Sequence, residues 1–298
     1  MAMLTKPTIL PYICSPERLP APIPTTAMIE TASKTLPSIH DPRYRRTVVV
    51  SGHFVVKYGT NVTENEGHAL LSLEKHPSIP APRLYAMYRE NEKLYLIMEL
   101  KPGRQLSEVW PSLNEDDTRN IASQLREIWD QIRSIPSPDI FGSVTGGPMR
   151  HRFFWWLQPD PRITGPFDKE EDLNMALAVR SQKNWEGDGR RGWMSEFFAR
   201  NLPGALTSHS SVFTHADLQR KNILVLEVPE GQHGPRQFKV TAVVDWEDAG
   251  WYPNYWEYAA CFVDFQWMDN WPEHVELILD PHISEAAVLR LVRQDLDF

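Results

Sequence analysis

The chain has 298 residues, 42% of them hydrophobic and 23% charged, a globular balance that argues against wholesale disorder and allows one large domain or two modest ones. Acidic residues outnumber basic ones 39 to 31, a net charge of -8, which speaks against nucleic-acid or anionic-membrane partners because those need clustered Lys and Arg. Two cysteines, Cys14 and Cys261, are too few for a disulfide framework, the proline-broken N-terminus is a poor signal peptide, and no apolar run reaches the ~20 residues of a membrane helix, so a cytoplasmic setting is expected.

Residues 1–42 hold eight of the 25 prolines and read as an extended arm with a short helix over 26–35, free to pack on the body or to swing away from it. "TVVV" (47–50) and "FVVKYG" (54–59) flank Ser51-Gly52-His53, which predicts a hairpin with glycine at its tip. In "TENEGHALLSLEKH" (63–76) the apolar residues at 69, 70 and 73 have helical spacing, with Thr63 placed as N-cap. "RLYAMYRE" and "KLYLIMEL" predict a second hairpin turning at Asn91-Glu92.

After Pro102-Gly103 the character changes. Ile121, Leu125, Ile128 and Ile132 mark a helix over 115–135, with Asp117 or Thr118 available to cap it. Residues 136–170 read as long loop, and two or three helices are expected between 169 and 208. "NILVLEV" and "QFKVTAVV" bracket the turn-rich "PEGQHGP" as a third hairpin, and helices including "SEAAVLRLVRQDL" finish the chain from about 255. The pattern predicts an α+β chain in three parts: a proline-rich arm (1–42), a small β-rich lobe with one main helix (43–100), and a larger, mainly helical lobe (101–298).

Chemistry-bearing residues fall in a suggestive order along these elements. Lys57 lies inside a strand, Glu66 on the next helix, and "IMEL" at the end of the last strand before the composition shift. "FTHADLQRKNILV" (213–225) supplies His215, Asp217 and Asn222, and Asp245 ends the third hairpin in "VVDWEDAG". Phosphoryl transfer from ATP asks for this inventory: a Lys on the phosphates, a carboxylate to hold it, two hard oxygen ligands for Mg²⁺, and a carboxylate to deprotonate the acceptor. Antiparallel strands joined by a turn give Asn222 and Asp245 a physical reason to meet.

His215-x-Asp217-x-x-x-x-Asn222 followed by Asp245-Trp246-Glu247 resembles the aminoglycoside phosphotransferase family, relatives of choline kinase within the protein-kinase-like fold. "VVKYG", "LIMELKPG" and "VVDWEDAGWYPNYWEYA" resemble its fungal members in particular, and the resemblance spans roughly residues 45–265. It implies a bilobal fold with ATP (GTP as the alternative) and Mg²⁺ in the cleft and a small-molecule acceptor, phosphorylated on a hydroxyl or, as the alternative, an amine. Asp217 would be the catalytic base, Asn222 and Asp245 the Mg²⁺ ligands, and Lys57, paired with Glu66, the phosphate contact. Ser51 and Gly52 would cover the phosphates, the backbone of Glu99 and Lys101 would meet the adenine edge, and Met98 would line its pocket. His215 would brace the catalytic loop, and Glu257 would support it. Three features depart from the family: no G-x-G-x-x-G precedes Lys57, the insertion between Asn222 and Asp245 is longer than in bacterial relatives, and Ala216 stands where glycine is common, which is tolerated unless the backbone needs φ > 0.

Blander readings compete. Thr63-x-x-Glu66 also forms a capping box, which would turn Glu66 away from Lys57 and leave Glu64 as the fallback partner. "GSVTGGP" (142–148) lacks the Gly-Lys-Ser/Thr ending of a phosphate loop, and the tryptophans and "FFWW" (153–156) read mostly as core. His215 and Asp217 could instead begin a non-haem iron site completed by His274 or His282, but that leaves Asn222, Asp245 and Lys57 unexplained. A pseudokinase that binds nucleotide without turnover is the remaining alternative. Oligomeric state is not addressed by any of these motifs.

Overall fold

Alternation along the early strands decides which side chains meet. The computed structural model describes residues 4–38, 40–228, 237–263 and 268–297. Five strands, β1 (Tyr12–Ile13), β2 (Arg46–Val50), β3 (Phe54–Gly59), β4 (Leu84–Glu90) and β5 (Lys93–Glu99), form an antiparallel sheet ordered β1-β4-β5-β3-β2. The middles of its strands are largely apolar on both faces because both faces are covered. Phe54, Val56, Tyr58, Tyr95 and Ile97 point outward onto the arm, where Cys14 and Ile29 of α1 (Thr26–Glu30) complete a separate core. Leu94, Leu96 and Met98 point inward toward α2 (Glu64–Leu73) and the rest of the molecule. Side chains alternate along a strand, so Lys57, between Val56 and Tyr58, faces inward as well.

The arm is therefore part of the small lobe's structure. It adds β1 to the sheet edge at β4 and runs its later residues along β2, with Leu36 N–H donating to Thr47 O (2.8 Å) and Val49 N–H to Lys34 O (2.8 Å). The helix expected over 26–35 stops at Glu30 for this reason: the open edge of β2 takes residues 34–36 as a partner instead. The first two hairpins turn where expected, with positive φ at Ser51 and Gly52 and at Asn91 and Glu92, the handedness that matches strand twist.

The larger lobe is built on helices. After β6 (Arg104–Gln105) and the short α3 (Leu106–Val109) comes α4 (Glu115–Arg133), whose N-cap is Asn114 rather than Asp117 or Thr118. Asp117 takes the reciprocal position of a capping box, its carboxylate accepting from Asn114 N–H (3.2 Å). The loop-like stretch after α4 holds β7 (Gly142–Ser143) and α5 (Pro161–Thr164), and two helices follow, α6 (Glu170–Gly187) and α7 (Trp193–Ala205). Strand β8 (Ser211–Thr214) leads into the His215 loop. The third hairpin, β9 (Ile223–Val228) and β10 (Gln237–Val243), has the expected strands, although its "PEGQHGP" turn lies outside the described residues, as does Trp267. Strand β11 (Gly250–Pro253) pairs with both β7 and β8, two short strands that the sequence patterning does not mark. Helices α8 (Trp256–Val263), α9 (Trp271–Ile278) and α10 (Ile283–Leu296) close the lobe. None of the described helices is long and apolar enough to cross a membrane.

Candidate active site

Strand parity carries Lys57 into the interface between the lobes. Its ammonium, on a residue only 4% exposed, lies 2.5 Å from Glu66 Oε2, 2.6 Å from Asp245 Oδ1 and 3.7 Å from Glu247 Oε2. The competing capping box is not formed: the Thr63 hydroxyl makes no cap bond, Glu66 turns to Lys57, and Glu64 pairs with Arg89 (3.0 Å). Burial works against the Lys57 charge, but Asp245, Glu66 and Glu247 together outweigh it and hold the ammonium well above the usual lysine range. Burial also opposes the Asp245 charge, yet Lys57 and Arg45 hold its carboxyl well below the usual range. Glu66 moves the other way, raised by burial and by its two carboxylate neighbours against the pull of Lys57.

Arg45 is a member of this cluster that the sequence does not single out. It is 7% exposed and donates to Glu247 Oε2 at 2.6 Å, with Asp245 Oδ1 at 3.4 Å and His40 Nε2 at 3.0 Å. Gly59 makes room for it: φ there is +148°, and a Cβ would sit 2.0 Å from Tyr44 O, so the chain carrying Arg45 can cross β3 closely. Nothing in "RYRR" distinguishes this arginine from its neighbours, and its partner Asp245 lies 200 residues away.

The third hairpin brings the distant halves together. Ile223 pairs with Val243, and Val244 N–H donates to Asn222 O (2.8 Å), so Asn222 and Asp245 flank one rung of the ladder. Asp245 itself is left-handed (φ 67°, ψ 56°), a conformation aspartate tolerates better than most residues. The loop after β8 is held on all sides. His215 is fully buried, with Nε2 3.0 Å from Val244 O and Nδ1 accepting from Asp217 N–H (3.2 Å), a pattern that fits the Nε2–H tautomer donating to the carbonyl. Glu257 Oε2 accepts from both His215 N–H (2.9 Å) and Ala216 N–H (3.0 Å). Ala216 does require positive φ (68°), the condition under which alanine is strained relative to glycine.

At the mouth of this loop the Asp217 carboxylate accepts from Asn222 Nδ2 (2.7 Å) and from Gln219 Nε2, with Lys221 Nζ 3.7 Å away. Asp248 lies near the same carboxylates; burial first, and then Glu247, Asp217 and Asp245, push its carboxyl well above the usual range. Asn65, in the first turn of α2, links that helix to the Asp245 segment by donating to Glu247 O and Ala249 O, both at 2.8 Å. Of the other expected nucleotide contacts, Met98 is buried, Glu99 Oε2 accepts from Arg83 N–H (3.2 Å) and lies 3.4 Å from Lys101 Nζ. Among the described residues the backbone N–H of Lys101 donates to no protein acceptor.

The donor set suits a hard divalent cation. Glu66, Asp245 and Glu247 each offer an oxygen within 4.8 Å of the others. Lys57 and Arg45 both contact Oδ1 of Asp245, which leaves Oδ2 for a further cation, and the Asn222 bonds use its amide nitrogen, which leaves its oxygen. The iron alternative finds no such support. Both ring nitrogens of His215 are engaged by backbone, and His274 Nδ1 faces Asn270 O at 2.8 Å.

A two-lobed arrangement with a sheet lysine paired to a helix glutamate, beside a His-x-Asp loop and a left-handed aspartate, defines the protein-kinase-like class. Similar solved structures agree. The aminoglycoside phosphotransferase APH(4)-Ia superposes with a TM-score of 0.54 at 17% identity, covering 90% of this chain and 83% of that one. A thermostable mutant of the same enzyme, in a ternary complex with AMP-PNP and hygromycin B, gives 0.56 at 17% identity over 91% and 88%. APH(2")-IIa in complex with gentamicin gives 0.54 at 14% identity over 88% and 80%. At such identities the likeness speaks to fold alone. No curated protein matches the chain. The family model does: residues 34–280 match APH, the phosphotransferase enzyme family, and the chain belongs to that family.

Proposed function

We propose that the chain transfers the γ-phosphoryl group of ATP, as its Mg²⁺ complex, to a hydroxyl of a small molecule. The observation that carries the proposal is the buried ammonium of Lys57, shared between Glu66 of α2 and Asp245 of the later loop. Such a lysine is anchored on one side and aimed at the metal-binding side on the other, as nucleotide phosphates require. In this reading Asn222 and Asp245 hold Mg²⁺, Ser51 and Gly52 arch over the phosphates, and the backbone of Glu99 and Lys101 meets the adenine beside Met98. The metal would neutralise charge on the transferred phosphate. Residues 43–100 would serve mainly the nucleotide, and residues 101–298 would supply the base and the acceptor pocket, with the arm (1–42) as an appendage of the first.

Asp217 would accept the acceptor's proton as its oxygen bonds to the γ-phosphorus and the bond to the ADP oxygen breaks. Its hydrogen bonds from Asn222 and Gln219 orient it for that task. His215 and Glu257 would hold the loop without touching substrate. The Asp217 carboxylate and the net acidic balance of the chain favour an acceptor without negative charge, cationic or neutral. The alternative of an amine acceptor would use the same geometry.

An ATP-consumption screen across aminocyclitols, choline-like alcohols and fungal metabolites, with and without Mg²⁺, tests the reading. Phosphorylation of one class, dependent on Mg²⁺ and lost in Asp217→Asn, is the expected result. Tight Mg–ATP binding with no transfer and no hydrolysis would instead establish a nucleotide-binding protein without turnover.

A further inference from the structure

Helix α2 carries Glu66, so its position sets that of Lys57. Eight of its ten residues are buried, including the polar Asn65, His68 and Ser72. These three, at spacings of three and four, share one helical face, a face whose composition predicts exposure to water. What covers it is chain from two directions. Asn65 is taken by the Asp245 segment and by Val144 N–H (3.3 Å). His68 and Ser72 are taken by the arm: Thr8 N–H donates to His68 Nε2 at 3.1 Å, and the Thr5 hydroxyl donates to Ser72 Oγ at 3.1 Å.

Two further contacts fix the ends of this stretch. Arg18 pairs with Glu74, the C-cap residue of α2, at 2.8 Å. Leu4 lies over Gly146 in the loop of the other lobe, where an added Cβ would come within 2.7 Å of the leucine Cδ1. Residues 4–18 thus leave the large lobe, pass over Ser72 and then His68 toward the start of α2, pair with β4, and return to the helix C-terminus at Glu74. On the inner face Glu66 reaches Lys57.

We infer that residues 4–18 are a strap that positions α2, and that Thr8, through His68, is a positioning element for the Lys57–Glu66 pair. The inference rests on the nucleotide reading above, because it assigns the strap's effect to phosphate binding. A lysine–glutamate pair of this kind is competent only when its helix is held in register, so a loosened α2 weakens nucleotide affinity before it unfolds the chain. His68 is the more telling side of the contact: it accepts from a backbone N–H, so any side chain presenting an acceptor at the same place should serve.

The test is Mg–AMP-PNP binding by titration calorimetry on the full chain, with melting temperature as the folding control. Thr8→Pro removes the donor, His68→Ala removes the acceptor, and His68→Gln restores an acceptor. Thr8→Pro and His68→Ala are expected to weaken binding roughly 5- to 10-fold, the range of losing one buried hydrogen bond, and His68→Gln to recover most of it. In a Glu66→Gln background Thr8→Pro should add little further loss, because both act on one pair. Unchanged affinity in both single variants overturns the strap. So does a Thr8→Pro loss that simply adds to that of Glu66→Gln, since a general weakening of the fold would be additive. Should Thr8→Pro fail to fold, the His68→Ala and His68→Gln pair decides alone. A wild-type chain that does not bind Mg–AMP-PNP overturns the nucleotide reading itself, and the strap with it.

Discussion

Replacing Glu257 with alanine should destabilise the chain by about 3–7 kcal/mol, and the geometry gives the figure. Glu257 is 1% exposed, and its Oε2 is the acceptor for two backbone donors, His215 N–H and Ala216 N–H. Truncation orphans both in a dry site at roughly 1–3 kcal/mol each, and removal of a buried methylene adds about 0.8 kcal/mol. Its other oxygen, Oε1, is buried without a hydrogen bond, so the loss of that atom costs nothing further. Glu257→Gln separates the parts: the amide oxygen still accepts both bonds, while the charge is lost and an amide NH₂ takes the place of the unbonded Oε1, so about 1–3 kcal/mol should go. Equilibrium urea denaturation gives the stabilities, and each kcal/mol corresponds to roughly 2 °C in melting temperature for a chain of this size. In the proposed mechanism the loosened loop also misplaces Asp217, so turnover should fall about 10- to 100-fold while Mg–ATP binding holds. An alanine variant within 1 kcal/mol of wild type, or as stable as the glutamine variant, would refute the reasoning, because the paired donors would then have found water or another acceptor.

Asp217→Asn should cut turnover at least ~100-fold with Mg–ATP affinity nearly intact, read by coupled ATP consumption alongside calorimetry. A rate above a few per cent of wild type would remove Asp217 from the role of base. Asp245→Ala should weaken nucleotide binding at least ~10-fold in Mg²⁺ and far less in its absence; an unchanged Mg²⁺ requirement refutes the metal role. Acidification should destabilise the chain from about pH 6.5 downward, because burial depresses the folded-state values of His40, His68 and His282. A depressed histidine favours the neutral form in the fold, so its contribution is present above the unfolded value and is lost as pH falls through the folded one. His68→Gln should flatten that decline in urea midpoints taken between pH 5 and 8, and an unaltered profile would mean that His68 does not carry it.

What was legible in the sequence follows from where each contact's information is stored. Hairpins turned where Ser51-Gly52 and Asn91-Glu92 predicted because turn chemistry is local, and α4 was legible because its apolar stripe is periodic. The cap of α4 falls three residues before Asp117, at Asn114, yet the two serve each other in one box. Strands β8 and β11 are not marked in the sequence because four residues are too few to show alternation, and their pairing is settled only when distant segments meet. The short helix of the arm was overestimated for a related reason: an unfilled sheet edge at β2 outcompeted helical propensity over residues 34–36.

The same distinction separates the residues of the site. The proposed metal ligation, phosphate neutralisation and proton transfer each admit few side-chain types, so Lys57, Asp217, Asn222 and Asp245 stand out by type and order. Holding those groups in place admits many. Arg45 might be any surface arginine until Glu247 is seen 2.6 Å away, and Asn65 any helix-start polar residue until its two carbonyl partners appear. Thr8 is the limiting case, because its contribution to the contact with His68 is a backbone N–H, which every residue but proline carries. No choice of side chain at that position could have announced the contact, and it follows that substitutions at Thr8 other than proline should leave the strap in place.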